Sequence, residues 1–174
     1  MVFRIFLRAS FLACALLAQG ALAHELPADT TELGSGIVDS SVGMQPIINR
    51  ALDLVGVRYR RSGDRPQTGF DCSGFVGYVY RKGMGVILPR VSREISKTGE
   101  PVPKDELEPG DLVFFNTMRH AFSHVGIYLG DHLFVHAPRS GETVRIDDLQ
   151  EHYWARRYDG ARRVVAGAQF GEQR

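Results

Sequence analysis

Residues 124–137 read His124-Val125-Gly126-Ile127-Tyr128-Leu129-Gly130-Asp131-His132-Leu133-Phe134-Val135-His136-Ala137. Two runs rich in β-branched and aromatic residues flank a Gly-Asp pair, which is the pattern of a β-hairpin. Similar short runs occupy residues 111–115, 143–146 and 162–166, set off by Gly, Asp or Pro. The chain before them has a different character. Pro46 suits the first turn of a helix that carries Ile47, Ala51, Leu52 and Val55 and stops at Gly56. A second helix starts at Asp71-Cys72-Ser73, carries Phe75, Val76, Val79 and Tyr80, and ends near Gly83 or Gly85. A short helix covers residues 92–97, and Tyr153 and Trp154 lie in a helical turn. Residues 57–69 read as a loop, and Pro101, Pro103 and Pro109 predict an irregular stretch. Helices first and strands after predict an α+β domain, its N-terminal helices packed on an antiparallel β-sheet.

The 174 residues are 44% hydrophobic and 24% charged, an ordinary globular composition. Lys+Arg number 21 and Asp+Glu 20, a formal charge of +1 that argues against a nucleic-acid partner. No apolar run reaches the ~18–20 residues that span a bilayer, so stable membrane insertion is not expected. Arg4 and Arg8, an apolar stretch over residues 11–18 and Ala21-Leu22-Ala23 read as a signal peptide, residues 1–23. The expected location is therefore outside the inner membrane, in the periplasm or cell envelope. Removing the peptide takes the formal charge from +1 to −1. Residues 24–43 read as a flexible lead-in, 44–166 as the domain and 167–174 as a tail. Lipidation at Cys14 fits poorly with Phe11-Leu12-Ala13 before it.

Once residues 1–23 are gone, Cys72 is the one remaining cysteine. A lone thiol in an oxidising compartment calls for a reason. At a helix N-terminus, unpaired N–H groups and the helix dipole favour thiolate, which predicts fast alkylation near neutral pH. Gly74 would leave the approach to sulfur open on one side. A nucleophilic sulfur needs a base, and histidine is the natural one. His24, His120, His132 and His152 fall in terminal, loop or polar segments, whereas His124 and His136 fall in strands among apolar neighbours. Singly, Cys72 also fits a small buried hydrophobe and each histidine a core residue. Together they point to nucleophilic catalysis.

Several motifs carry a resemblance. They are Phe70-Asp71-Cys72-Ser73-Gly74-Phe75-Val76, Leu88-Pro89-Arg90, Pro109-Gly110-Asp111-Leu112-Val113-Phe114-Phe115, His124-Val125-Gly126-Ile127-Tyr128 and Phe134-Val135-His136-Ala137. In order and spacing they resemble the NlpC family of cell-wall cysteine endopeptidases, over residues 57–137. The resemblance implies a papain-like core and hydrolysis of an amide bond in peptidoglycan stem peptides. It implies Cys72 as nucleophile, His124 as base and His136 as the orienting third residue, with no metal and no cofactor. Val57-Arg58-Tyr59 resembles the family segment whose tyrosine lines the site, so Tyr59 joins Asp71, Ser73 and Arg90 as substrate-binding candidates. Stem peptides carry carboxylates, so Arg58, Arg60, Arg61 and Arg90 are candidate contacts. Arg58-Tyr59-Arg60-Arg61 departs from the family in being more basic, and Pro66-Gln67-Thr68 replaces a more Gly-rich loop. The expected partner is the stem peptide; a regulatory protein partner stays unspecified.

Three other functions compete. A thiol-dependent amidase or acyl transferase would use the same scaffold. A metal hydrolase would use His120, His124 and His136, but the His120–His124 spacing needs a helix where strand and loop are predicted. A non-catalytic wall-binding module would have no need of Cys72 with His124. The hairpin register supplies a test. A two-residue turn at Gly130-Asp131 would set His124 and His136 on opposite faces. A three-residue loop, 130–132, pairs Leu129 with Leu133, Ile127 with Val135 and Val125 with Ala137. That register puts both histidines on one face, with Gly126 leaving room between them. The expectation is that His136 bonds His124 on the face that meets the N-terminus of the Cys72 helix.

Overall fold

The computed structural model describes residues 40–166. The signal-peptide and tail readings lie outside them, as do residues 24–39 of the lead-in. In chain order the elements are α1 (Ser40–Leu52), β1 (Asp64–Arg65), β2 (Gly69–Phe70), α2 (Cys72–Met84), α3 (Ser92–Ile95), β3 (Glu100–Val102), β4 (Leu112–Phe115), β5 (His124–Gly130), β6 (Leu133–His136), β7 (Arg145–Asp148), α4 (His152–Ala155) and β8 (Tyr158–Arg163). No helix among the described residues is long and apolar enough to cross a membrane.

Six strands form one sheet in the order β3-β8-β4-β5-β6-β7, and every neighbouring pair is antiparallel. Each face of its centre is covered. Leu112, Phe114, Val125, Ile127, Val135 and Ala137 meet Phe75, Val76 and Val79 of α2 and Ile47 and Ala51 of α1. Val113, Phe115, Tyr128 and Phe134 point the other way and cluster with Leu149, Trp154 and Ala161. A strand covered on both faces has no reason to alternate, which is why β4 is Leu-Val-Phe-Phe and wholly buried. Each such side chain contributes about 1.5–3 kcal/mol on burial.

The helices follow their end signals with one exception. Asp71 caps α2 by accepting from the Gly74 N–H at 2.8 Å. Gly85, at φ 69°, closes the helix with its N–H on the Tyr80 carbonyl. The Tyr80 hydroxyl donates to the Gly110 carbonyl, tying α2 to the turn before β4. The exception is α1, which begins at Ser40, holds Pro46 in its interior rather than in its first turn, and ends at Leu52, short of the Gly56 expected, with residues 53–56 in turns. Burial of Ile47 and Ala51 at 0% exposure supports the helix across the missing N–H.

Local reading misses β1, β2 and β3 and misplaces the start of β8. The 57–69 loop contains β1, which pairs Asp64 with Phe70 and Arg65 with Gly69 of β2. The proline-rich stretch contains β3, an edge strand in which Pro101 pairs with Arg162. β8 starts at Tyr158 and ends at Arg163, earlier than the 162–166 expected, because Gly160 belongs inside it. In the hairpin, Ile127 pairs with Val135 as the apolar pattern requires. The turn differs: it is Asp131-His132, with both φ positive, and a bulge between Tyr128 and Gly130 restores the register.

Candidate active site

Cys72 is the first residue of α2, and the N-terminus of that helix reaches the start of β5. The sulfur is half-buried, and the backbone N–H groups of Val125 and Ser73 beside it favour its charged form. His124, next to Val125, shares with Cys72 a cleft of about 640 Å³. Tyr59, Arg61, Arg139, Tyr153 and Trp154 also line it.

His124 and His136 do lie on one face of the sheet. Their rings cross at 89°, and His124 Nε2 stands 2.8 Å from His136 Nδ1. That face is the one turned away from α2, contrary to the expectation. The apolar set Val125, Ile127 and Val135 claims the helix-covered side, so alternation sends the histidines to the other. Cys72, at the tip of α2 and packed against the edge of the helix-side core, shares its cleft with His124.

The imidazole pair is held from behind. Trp154 stacks on His124 at 5.7 Å and 24°, and meets His136 edge-on at 4.9 Å. His136 Nε2 is 3.0 Å from Asp147 Oδ2, and the Trp154 Nε1–H donates to the same oxygen at 3.0 Å. Arg145 donates to both Asp147 oxygens, from Nε at 2.9 Å to Oδ1 and from Nη2 at 3.0 Å to Oδ2. Neither Asp147 nor the placement of Trp154 is evident in the sequence. Arg145 and Asp147 alternate onto one face of β7, but the pairing of β7 with β6 is what brings them to His136.

Burial pushes the Cys72 thiol up to about 11, and the neighbouring Asp71 adds to it. The Val125 and Ser73 N–H groups pull the other way and do not prevail. Burial likewise holds His124 well below the ordinary imidazole value, and His136 beside it adds to the effect. His136 is lowered by burial too, with Asp147 opposing. Burial opposes ionisation of Asp147, but hydrogen bonds from His136 and Arg145 outweigh it and hold the carboxyl well below the usual range. The resting site is therefore thiol and neutral imidazole. Desolvation outweighs the helix dipole on which the thiolate expectation rests.

The other candidate residues separate. Tyr59 is in the cleft, fixed by its N–H on the Glu142 carbonyl at 2.8 Å and by a bridge to Phe70. Burial, then Cys72 and Asp71, raise its hydroxyl, which stays protonated. Asp71, Ser73 and Arg90 are absent from the cleft lining and form a cluster beside the α2 start. Arg90 Nη2 meets Asp71 Oδ2 at 2.7 Å, and Arg90 Nη1 meets Ser73 Oγ at 2.9 Å. Of the basic run, Arg61 lines the cleft, while Arg58 donates to the Thr68 carbonyl. Among the described residues, no cluster of His, Cys, Asp and Glu is arranged to hold a metal ion.

Gly74 also has a packing role. A Cβ on it would stand 2.0 Å from the Gly63 carbonyl oxygen. The same carbonyl accepts from the Asp71 N–H at 3.1 Å. The missing side chain lets the loop that carries Tyr59 and Arg61 dock on α2.

A cysteine-tipped helix laid on an antiparallel sheet that presents a histidine pair is the papain-like arrangement, the fold of NlpC/P60 domains. The NlpC/P60 family model matches residues 56–163, and the chain belongs to that family. It is 42% identical over 121 residues to the protein named murein DD-endopeptidase MepH of Escherichia coli K12, covering 68% of this chain and 45% of that one. It is 40% identical over 126 residues to the gamma-DL-glutamyl hydrolase of Bacillus subtilis 168, covering 72% of this chain and 30% of that one. The chain thus spans less than half of either relative. A crystal structure of an NlpC/P60 family protein from Bacillus cereus superposes with a TM-score of 0.65 at 35% identity, covering 69% of this chain and 39% of that one.

Proposed function

We propose that the protein is an exported peptidoglycan hydrolase, a thiol-dependent endopeptidase that cuts an amide bond of murein stem peptides or their cross-links. The observation that carries this is the shared cleft: Cys72 at a helix tip and His124, backed by His136, in a chain of the NlpC/P60 family. His124 takes the thiol proton as sulfur attacks the amide carbonyl. In this reading the Cys72 N–H and the Tyr59 hydroxyl, both at the cleft, steady the oxyanion. His124 then gives the proton to the leaving amine, which departs and leaves a thioester. Water, deprotonated by His124, cleaves the thioester and restores the thiol. His136 orients His124. Arg61 faces the substrate as a cation without a carboxylate partner among the described residues, suited to a stem-peptide carboxylate. Its substrate lies in the cell envelope, which is where an exported chain would meet it.

Two relatives point to two bonds. The name murein DD-endopeptidase favours the D-alanyl cross-link; the name gamma-DL-glutamyl hydrolase favours a gamma-glutamyl bond, and in a stem peptide that bond lies within one stem. Mass spectrometry of muropeptides from purified peptidoglycan, before and after digestion, decides between them. Cross-linked dimers disappear in the first case and shortened stems accumulate in the second. Cys72→Ser should abolish either product, and His124→Ala should cost about 10²-fold or more. Wild-type turnover by Cys72→Ser would overturn the reading.

A further inference from the structure

We propose that Asp147 is a positioning residue that sets, through His136, which nitrogen of His124 is left without a hydrogen. This rests on the reading of His124 as the base. A neutral imidazole carries one N–H and one bare nitrogen, and its neighbours select the tautomer. Asp147 is an ionised carboxylate and only accepts. His136 Nε2, 3.0 Å from Asp147 Oδ2, must therefore carry the hydrogen. His136 Nδ1 is then bare, and among the described residues the group bonded to it is His124 Nε2 at 2.8 Å. His124 must donate from Nε2, which leaves its Nδ1 bare to take a proton. The order is enforced over two rings.

The other contacts of Asp147 keep it in that role. Trp154 and Arg145 are donors only, so neither can turn the carboxylate into a donor or accept in its place. Trp154 also stacks on His124, so one indole holds the ring and anchors the carboxylate that sets its tautomer. His136 is fully buried, which excludes water as a substitute partner.

The test reads tautomers directly. In 15N spectra of histidine-labelled protein near pH 7.5, His124 and His136 should both appear as the Nε2–H form. Asp147→Ala removes the acceptor: the His136 signal should become a tautomer mixture, and kcat should fall roughly tenfold or more with KM unchanged. Asp147→Asn keeps an acceptor oxygen within reach of His136 and should recover the Nε2–H form and most of the kcat. A His124 Nδ1–H form in the wild-type protein would overturn the proposal, even if Asp147→Ala failed to fold. So would an Asp147→Ala protein with unchanged tautomers and unchanged kcat. The spectra need no substrate, so a protein that proved inactive on peptidoglycan would refute the proposed function and leave this test standing.

Discussion

Gly126 lies across the β5–β6 ladder from His136, and the space its side chain would fill is already taken. A Cβ there would stand 3.2 Å from His136 Cβ and 2.7 Å from Phe134 Cδ2. Phe134 is locked among Phe115, Trp154 and His136 and has no free direction to yield. Gly126→Ala should therefore destabilise the domain by about 1–3 kcal/mol, the usual cost of overpacking. Activity should drop with it, because the group displaced is His136, the proposed orienting residue. Denaturant melts and turnover measured together check this; an unchanged melt would show that the ladder relaxes.

Alkylation of Cys72 should be slow. A thiol raised from 9.0 to about 11 holds roughly a hundredfold less thiolate at neutral pH. Because the shift is upward, the rate with iodoacetamide should keep climbing as pH rises through 9 and 10, instead of levelling off. A rate plateau near pH 6–7 would show a thiolate–imidazolium pair in the resting protein and reverse the assignment of charge.

Arg61→Ala should raise KM about five- to tenfold with little change in kcat, since an exposed charge-assisted hydrogen bond contributes binding and not chemistry. Stem peptides whose carboxylates are amidated should show the high KM with either protein. Equal KM values on the free-acid substrate would remove Arg61 from the site.

Arg90→Gln and Asp71→Ala should cost stability rather than substrate affinity. Asp71 caps α2 and holds Arg90, so its loss should lower stability by about 1–2 kcal/mol, while Asp71→Asn, which still caps, should cost less. Thermal melts and KM values for both positions check this. A raised KM for Arg90→Gln with an unchanged melt would return Arg90 to the substrate.

Sequence alone carries the class of fold, the cysteine and the histidine pair, because each is written in a local pattern: a cap before Cys72, and alternation through residues 124–137. The register also follows from matching apolar residues across the hairpin. The turn that achieves it does not, because Asp131 and His132 adopt φ of 49° and 64° and nothing in an Asp-His pair announces that. Long-range partners are equally silent. Asp147 meets His136 only through β6–β7 pairing, and Arg90 is held by both its arms on Asp71, 19 residues back in the chain. Pro101 and Gly160 read locally as breaks, yet an edge position and a bulge beside Phe114 accommodate them in strands.

The contact between Gly63 and Gly74 has a consequence for anyone who would change which peptide the proposed cleft accepts. The 60–62 segment looks like the obvious place to randomise, since it puts Arg61 at the mouth of the cleft. Its downstream end is not free: the Gly63 carbonyl sits where a Gly74 side chain would be, and a Cβ on Gly63 itself would fall 2.2 Å from the Gly69 carbonyl oxygen. A library that varied Gly63, Gly69 or Gly74 would be spent largely on chains whose loop can no longer seat. One that held those three fixed and varied Arg60, Arg61 and Ser62 would sample specificity on an intact frame. At Ser62, where φ is 59°, Gly and Asn should dominate the survivors.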